Sequence, residues 1–317
     1  MIYRLLLVAA HCAIFAPGAS AQGVSSRFIT EVRTGWKKPV RALAVSSKGR
    51  LLAAGGDDRQ LILYDLAKRR TRWISSARGP ITALVFSPNG KWLAIGWQGL
   101  WVDVVAVKSG RVLRRIGPLK GWPRSLACSP GGKVLAVAGQ AQQIALFDPA
   151  TGKAKGLLTG HTSWVNHVTF SDDGKRIAGA GWDHAVRIWD VASRKLLQSV
   201  RGHKYAVNAV VFSRNGKWLV SASDDQHLRR IQTRSGKVVT DRRSPAIICL
   251  ARSRHAGLVA GGTFRGRLLL LHEKLVGTTK VINAHRGQVF VVAVTPKGRV
   301  VITGGRDGKI KLWKGKK

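Results

Sequence analysis

Short apolar stretches broken by glycine-rich polar turns follow one another along residues 27–314. No stretch carries the three-to-four-residue apolar spacing of an amphipathic helix. An apolar segment such as Thr82–Phe86 leads into a turn, Ser87–Lys91 (SPNGK), and a second apolar segment follows, as in Trp218–Ala222. Next come a tight turn that often holds Asp, a third segment such as Ala185–Asp190, and a variable basic stretch. The order restarts at Val40, Ile81, Pro123, Val165, Val207, Ile247 and Val289, every 40 to 42 residues. The turns repeat as well: SPGGK at Ser129–Lys133, SDDGK at Ser171–Lys175, SRNGK at Ser213–Lys217 and TPKGR at Thr295–Arg299. Glycine near the end of each suits a tight hairpin. The pattern predicts four short strands per unit, seven units, and an all-β fold.

Particular residues carry a resemblance. Gly160-His161 with Trp189-Asp190, and Gly202-His203 with Asp225, resemble the WD-repeat (WD40) family. The resemblance implies a seven-bladed β-propeller of four-stranded antiparallel blades around a central channel. It also implies a structural side-chain network in which His, Ser or Thr, Asp and Trp are linked. The matching residues are His161, Asp183 and Trp189 in unit four, His203, Ser221 and Asp225 in unit five, and His285, Thr303, Asp307 and Trp313 in unit seven. Unit seven lacks a fourth strand after Trp313, and the alternating segment Arg27–Arg33 precedes unit one. In this family such an N-terminal strand closes the ring. Unit five has Ile231 where the Trp is expected, and units two and three lack the turn Asp, having Gln98 and Ala141. Unit six, with the turn Ser253–Gly257, departs furthest and is expected to be the least regular blade.

Residues 1–21 read differently. A short basic start, an apolar run over Leu5–Phe15 and the small residues Ala19-Ser20-Ala21 predict a secretory leader cleaved before Gln22. The run is too short to span a bilayer. His11 before Cys12 speaks against lipidation. Residues 22–317 then form the propeller, exported to the periplasm or secreted. Its two cysteines, Cys128 and Cys249, are too few for a disulfide-built fold.

Charge changes the picture most. The chain has 54 Lys and Arg against 15 Asp and Glu, a formal net charge of +39. Basic residues recur in the first hairpin turn and in the turn between third and fourth strands, which share one face of a propeller, the bottom. A field of this size favours polyanionic partners.

The carboxylates offer no general acid and base pair, and no nucleophile elbow, phosphate loop or dinucleotide motif is present. The histidines lack metal-ligand spacing, so neither a metal site nor a cofactor is implied. The aromatics are more informative. Trp97, Trp122, Trp164 and Trp182 fall at positions that rim the top of the channel by resemblance to the family, where partner peptides are commonly bound. Arg124 and Arg306 lie beside them, and Trp36, Trp101 and Tyr205 are candidates to extend the patch. Exposed Trp with Arg is typical of binding hot spots; the competing reading is that these rings fill gaps between blades.

The sequence therefore points to a non-enzymatic interaction scaffold, a monomer that binds a protein or peptide bearing acidic groups. The alternative is an electrostatic binder of polyanions such as acidic polysaccharide, anionic lipid or nucleic acid. A propeller enzyme ranks behind both.

Overall fold

A computed structural model describes residues 28–277 and 279–315; the predicted leader lies outside the described residues. Every regular element is a β-strand, and the strands form seven four-stranded antiparallel sheets. The inner strands of the blades begin at Val40, Ile81, Pro123, Val165, Val207, Ile247 and Val289, the positions at which the sequence repeat restarts. Blade six is a complete sheet like the others, over Ile247–Arg252, Leu258–Thr263, Arg267–His272 and Lys280–Asn283.

Blade seven takes its outer strand from the other end of the chain. Phe28–Val32 pairs antiparallel with Ile310–Lys314, Phe28 opposite Trp313 and Val32 opposite Ile310. The Phe28 ring meets the Trp313 indole edge-on at 5.5 Å, and Lys309 Nζ lies 3.3 Å from Glu31 Oε2. The ring is thus closed by hydrogen bonds between the two ends of the propeller, which removes the exposed edge that an open stack of sheets would leave.

The alternation read from the sequence decides the packing. Each of the seven apolar clusters lies between two neighbouring blades. Ile188 and Ala178 of blade four meet Val207, Phe212 and Leu219 of blade five, for example. Ile302 and Leu312 of blade seven meet Leu43 and Ile62 of blade one across the closure. Both faces of every sheet are therefore covered, and the polar turns are left at the two ends of the ring.

Every inner strand shifts register between its first and third residues, as between Val40 and Ala42 or Val165 and His167. Such a bulge re-aims one side chain. The bulged residue follows the first strand position of each blade and stands at the top of the channel. Four bonds tie neighbouring blades together at this end. Thr82 Oγ1 donates to Pro123 O (2.6 Å), and Asn166 Nδ2 donates to Val207 O (3.2 Å). Asn208 Nδ2 donates to Ile247 O (3.2 Å), and one residue further along Cys249 Sγ lies 3.4 Å from Val289 O.

Candidate functional site

The top face is built from the turns between second and third strands and from the loops that enter each inner strand. The His–Asp pairs hold these turns down. In blade seven, His285 Nδ1 lies 2.8 Å from Asp307 Oδ1 and Nε2 lies 2.7 Å from Thr303 Oγ1, which also accepts from Trp313 Nε1 at 2.9 Å. An indole N–H only donates, so the chain runs Trp313 to Thr303 to His285 to Asp307, with a neutral imidazole protonated on Nδ1. Burial lowers the His285 pKa against the pull of Asp307 and so favours that neutral form. In blade five, His203 makes the same bonds to Asp225 (2.8 Å) and Ser221 (2.9 Å), with Ile231 fully buried in place of the indole.

Blade four differs. Gly179 stands at the hydroxyl position, and a side chain there would be crowded, its Cβ 2.9 Å from His161 Nε2 and 3.2 Å from the Trp189 ring. His161 Nε2 is left without a partner, and Trp189 Nε1 donates to Thr159 O instead, at 2.9 Å. The buried Arg187 joins the pair on its other side, its Nη1 donating to Asp183 and lying 2.7 Å from His161 Nδ1, which leaves Nε2 still unpartnered. Burial alone would raise the Asp183 pKa. The bonds from His161, the Thr162 N–H and Arg187 more than offset that and hold the carboxyl below its usual range.

On this framework the rim aromatics take their places. Trp164 precedes the inner strand of blade four, and Trp182 sits in its second-to-third turn, where its N–H donates to Trp164 O at 2.8 Å. That bond brings the two indoles to a centroid distance of 5.4 Å, tilted by 46°. They are 36% and 50% exposed, and Trp122, at the matching entry position of blade three, is 44% exposed. Tyr205 on blade five and Phe264 on blade six continue the series, at 58% and 59%. Phe264 was not singled out in the sequence. Its signal is register: it lies at the same offset from Ile247 as Trp182 does from Val165. Arg306 holds that offset in blade seven and is exposed.

Trp97 is not brought to the rim. It is the last residue of the strand Trp92–Trp97 and pairs with Ile81, a position held by Gly, Ser or Thr in the other blades. The turn position equivalent to Trp182 is Gln98, and the one equivalent to Asp183 is Gly99, so the missing turn Asp of blade two is replaced at Gly99, not at Gln98. A Cβ on Gly99 would fall 2.1 Å from the Trp97 ring. The indole therefore occupies the place of a His–Asp pair, packed on the apolar cluster between blades one and two, with its Nε1 buried and unpartnered. Beside it lies a cavity of about 210 Å³, lined by Ala77, Ile95 and Val105 at the network positions of His, hydroxyl and Trp. Trp36 is likewise in the core, at the His position of blade one, its Nε1 donating to Gln60 Oε1 at 2.9 Å. Trp101 is half-buried beside Arg115. Of the three candidates to extend the patch, Tyr205 alone joins the rim.

Within the channel mouth, Arg124 occupies the bulged position of blade three. Its equivalents Thr82, Asn166 and Asn208 bond the next blade, and Arg41 pairs with Asp57 at 2.6 Å and stacks on Phe290 at 4.6 Å. Arg124 has no hydrogen bond or ion pair among the described residues. Enclosure by the channel, followed by the charge of Arg41, lowers its pKa. Its guanidinium is open to an incoming carboxylate. The mouth carboxylates are engaged, Asp57 by Arg41 and Asp224 by Asn208 at 2.6 Å, with burial raising the Asp224 pKa.

The family model "WD domain, G-beta repeat" matches residues 29–65, 70–99, 152–190, 194–230 and 276–314, more than half of the chain. The small ribosomal subunit protein RACK1 of Candida albicans is 40% identical over 55 residues, 17% of this chain and 17% of its own length. The Schizosaccharomyces pombe RACK1 is 44% identical over 54 residues, again 17% of each chain. RACK1z of Oryza sativa subsp. japonica is 34% identical over 79 residues, 25% of this chain and 23% of that one. The matched stretches thus span less than a quarter of these curated relatives.

Proposed function

The chain belongs to the WD-repeat family, and on that premise we propose that it is a non-enzymatic scaffold, exported to the cell envelope, that holds a protein or peptide partner on the top face of its propeller. The observation that carries this reading is the crescent of exposed rings on four consecutive blades, Trp122, Trp164, Trp182, Tyr205 and Phe264, beside the unpaired Arg124. Large aromatic rings that are already fixed by their backbone lose little freedom on binding and supply most of the energy of many interfaces. The partner supplies apolar anchors for the rings and a carboxylate for Arg124. Export rests on the leader predicted over residues 1–21. The RACK1 relatives are named as ribosomal subunit proteins, and that role is not carried to this chain.

The test is a pull-down from a cell-envelope extract, comparing wild type with Trp164→Ala/Trp182→Ala at low and moderate salt. Retention of one protein by wild type at moderate salt and its loss from the double variant supports the reading. Retention of mixed acidic material that ignores the Trp changes and disappears with salt overturns it.

A further inference from the structure

The opposite face carries a regular device of its own. In each blade the first hairpin turn ends on one residue at a fixed offset from the inner strand, and in six blades that residue is a cation: Arg50, Lys91, Lys133, Lys175, Lys217 and Arg299. Each follows a glycine with φ between 65° and 73°, a left-handed conformation that sets the same turn every time. All six side chains are exposed, and none forms an ion pair among the described residues. Equal register in a propeller means equal height and radius, so the six charges form one flat annulus.

The turns that carry them interlock around the ring. Ser47 Oγ donates to Pro88 O at 2.6 Å between blades one and two, and the His255 N–H donates to Pro296 O at 2.9 Å between blades six and seven. The Arg214 N–H meets Glu273 Oε2 at 3.1 Å. Carboxylates on this face are tied to the backbone: Asp65, Asp148 and Asp190 accept turn N–H groups, which lower their pKa values, and the exposed Asp173 accepts the Lys175 N–H at 3.0 Å. Asp172 is paired with Arg252. A second set of exposed cations, Lys68, Lys108, Lys153, Arg194 and Arg234, stands in the third-to-fourth turns of blades one to five.

We propose that this annulus is a second binding surface that seats the propeller, bottom face down, on an anionic lipid bilayer. A planar acidic surface meets all six cation-bearing blades at once, whereas a chain polymer meets only the blades along its path. The rings that border the annulus, Trp92 and Trp218, are half-buried, and the Arg230 guanidinium already covers Trp218 at 4.0 Å. The fully exposed aromatics other than Phe28 lie on the opposite face, where a nucleic-acid base would find its stacking partners. Seated this way, the propeller points its aromatic crescent away from the lipid and leaves it free for a partner.

The experiment is co-sedimentation of the protein with vesicles of phosphatidylcholine alone or mixed with phosphatidylglycerol, with duplex DNA and an acidic polysaccharide as competitors. Wild type is expected on the anionic vesicles only. Each Lys neutralised is expected to lower partitioning about fivefold, so Lys133→Gln/Lys175→Gln/Lys217→Gln loses about a hundredfold. These lysines are exposed, so the triple variant folds, and unchanged circular dichroism checks it. Trp164→Ala/Trp182→Ala is expected to bind vesicles like wild type. Equal binding by the triple variant, a loss confined to the Trp variant, or displacement by DNA or polysaccharide at matched charge overturns the proposal.

Discussion

Replacing Thr303 by Val removes one hydroxyl from the blade-seven network and keeps the side-chain shape. Thr303 is fully buried. Its oxygen accepts from Trp313 Nε1 at 2.9 Å and meets His285 Nε2 at 2.7 Å. The substitution leaves both partners unpaired in the core. An orphaned buried polar group costs about 1–3 kcal/mol, so Thr303→Val is expected to lose about 2–5 kcal/mol. Ser221→Ala in blade five is the internal control. Ser221 bonds His203 Nε2 at 2.9 Å, and no indole is present because Ile231 replaces it. One orphan instead of two gives about 1–3 kcal/mol. Thr303→Ser keeps the hydroxyl and loses a methyl, about 1 kcal/mol. Denaturant unfolding followed by Trp fluorescence measures all three on one scale, at unchanged slope. If Thr303→Val unfolds no earlier than Thr303→Ser, the hydroxyl does not link the indole to the imidazole and the network reasoning fails.

Other consequences are open to direct measurement. Burial lowers the pKa values of His203 and His285 and pushes His167 to about 4. The unfolded chain protonates these rings near their ordinary value of 6.5 and the folded chain resists, so stability is full above that pH and falls on acidification. The lowered carboxyls of Asp183, Asp225 and Asp307 extend the loss below their ordinary value of 3.8, against the single raised carboxyl of Asp224; a denaturation midpoint that is flat from neutral to about pH 4 would refute this. Val105→Ile adds a methylene beside the cavity between blades one and two and is expected to stabilise by about 0.8 kcal/mol; a lowered thermal midpoint would mean that the space is not available to it. Edman sequencing of the envelope-fraction protein should begin at Gln22, and an intact Met1 there speaks against the leader.

The blade plan was legible because it is periodic. Seven inner strands begin at the residues where the repeat restarts, and the closing strand was visible as an alternating segment ahead of unit one. The network was legible where the side chains are the family's own, in blades five and seven. It was less so in blade four, where Gly179 leaves His161 half-partnered and Arg187, which reads as one more surface cation, is buried beside Asp183. The rim was harder still, because one residue of register separates Trp182, exposed in its turn, from Trp97, which points back into the blade. A tryptophan's fate here depends on what its neighbours vacate: Gly99 and Ala77 leave room in blade two, and no local pattern announces that. Phe264 was hidden for the converse reason: its blade carries the divergent turn at Ser253–Gly257, which masks a register that is intact.

Affinity of the purified partner for three proteins decides whether the top face is the binding face. Isothermal titration at low and moderate salt would compare wild type, Trp164→Ala/Trp182→Ala and Lys133→Gln/Lys175→Gln/Lys217→Gln. A truncated aromatic anchor costs about 2 kcal/mol, so the Trp variant is expected to bind at least about 30-fold more weakly. The Lys variant is expected to match wild type, with moderate salt changing little in either. Full affinity in the Trp variant, with loss in the Lys variant and under salt, would place binding on the bottom face and contradict the top-face scaffold.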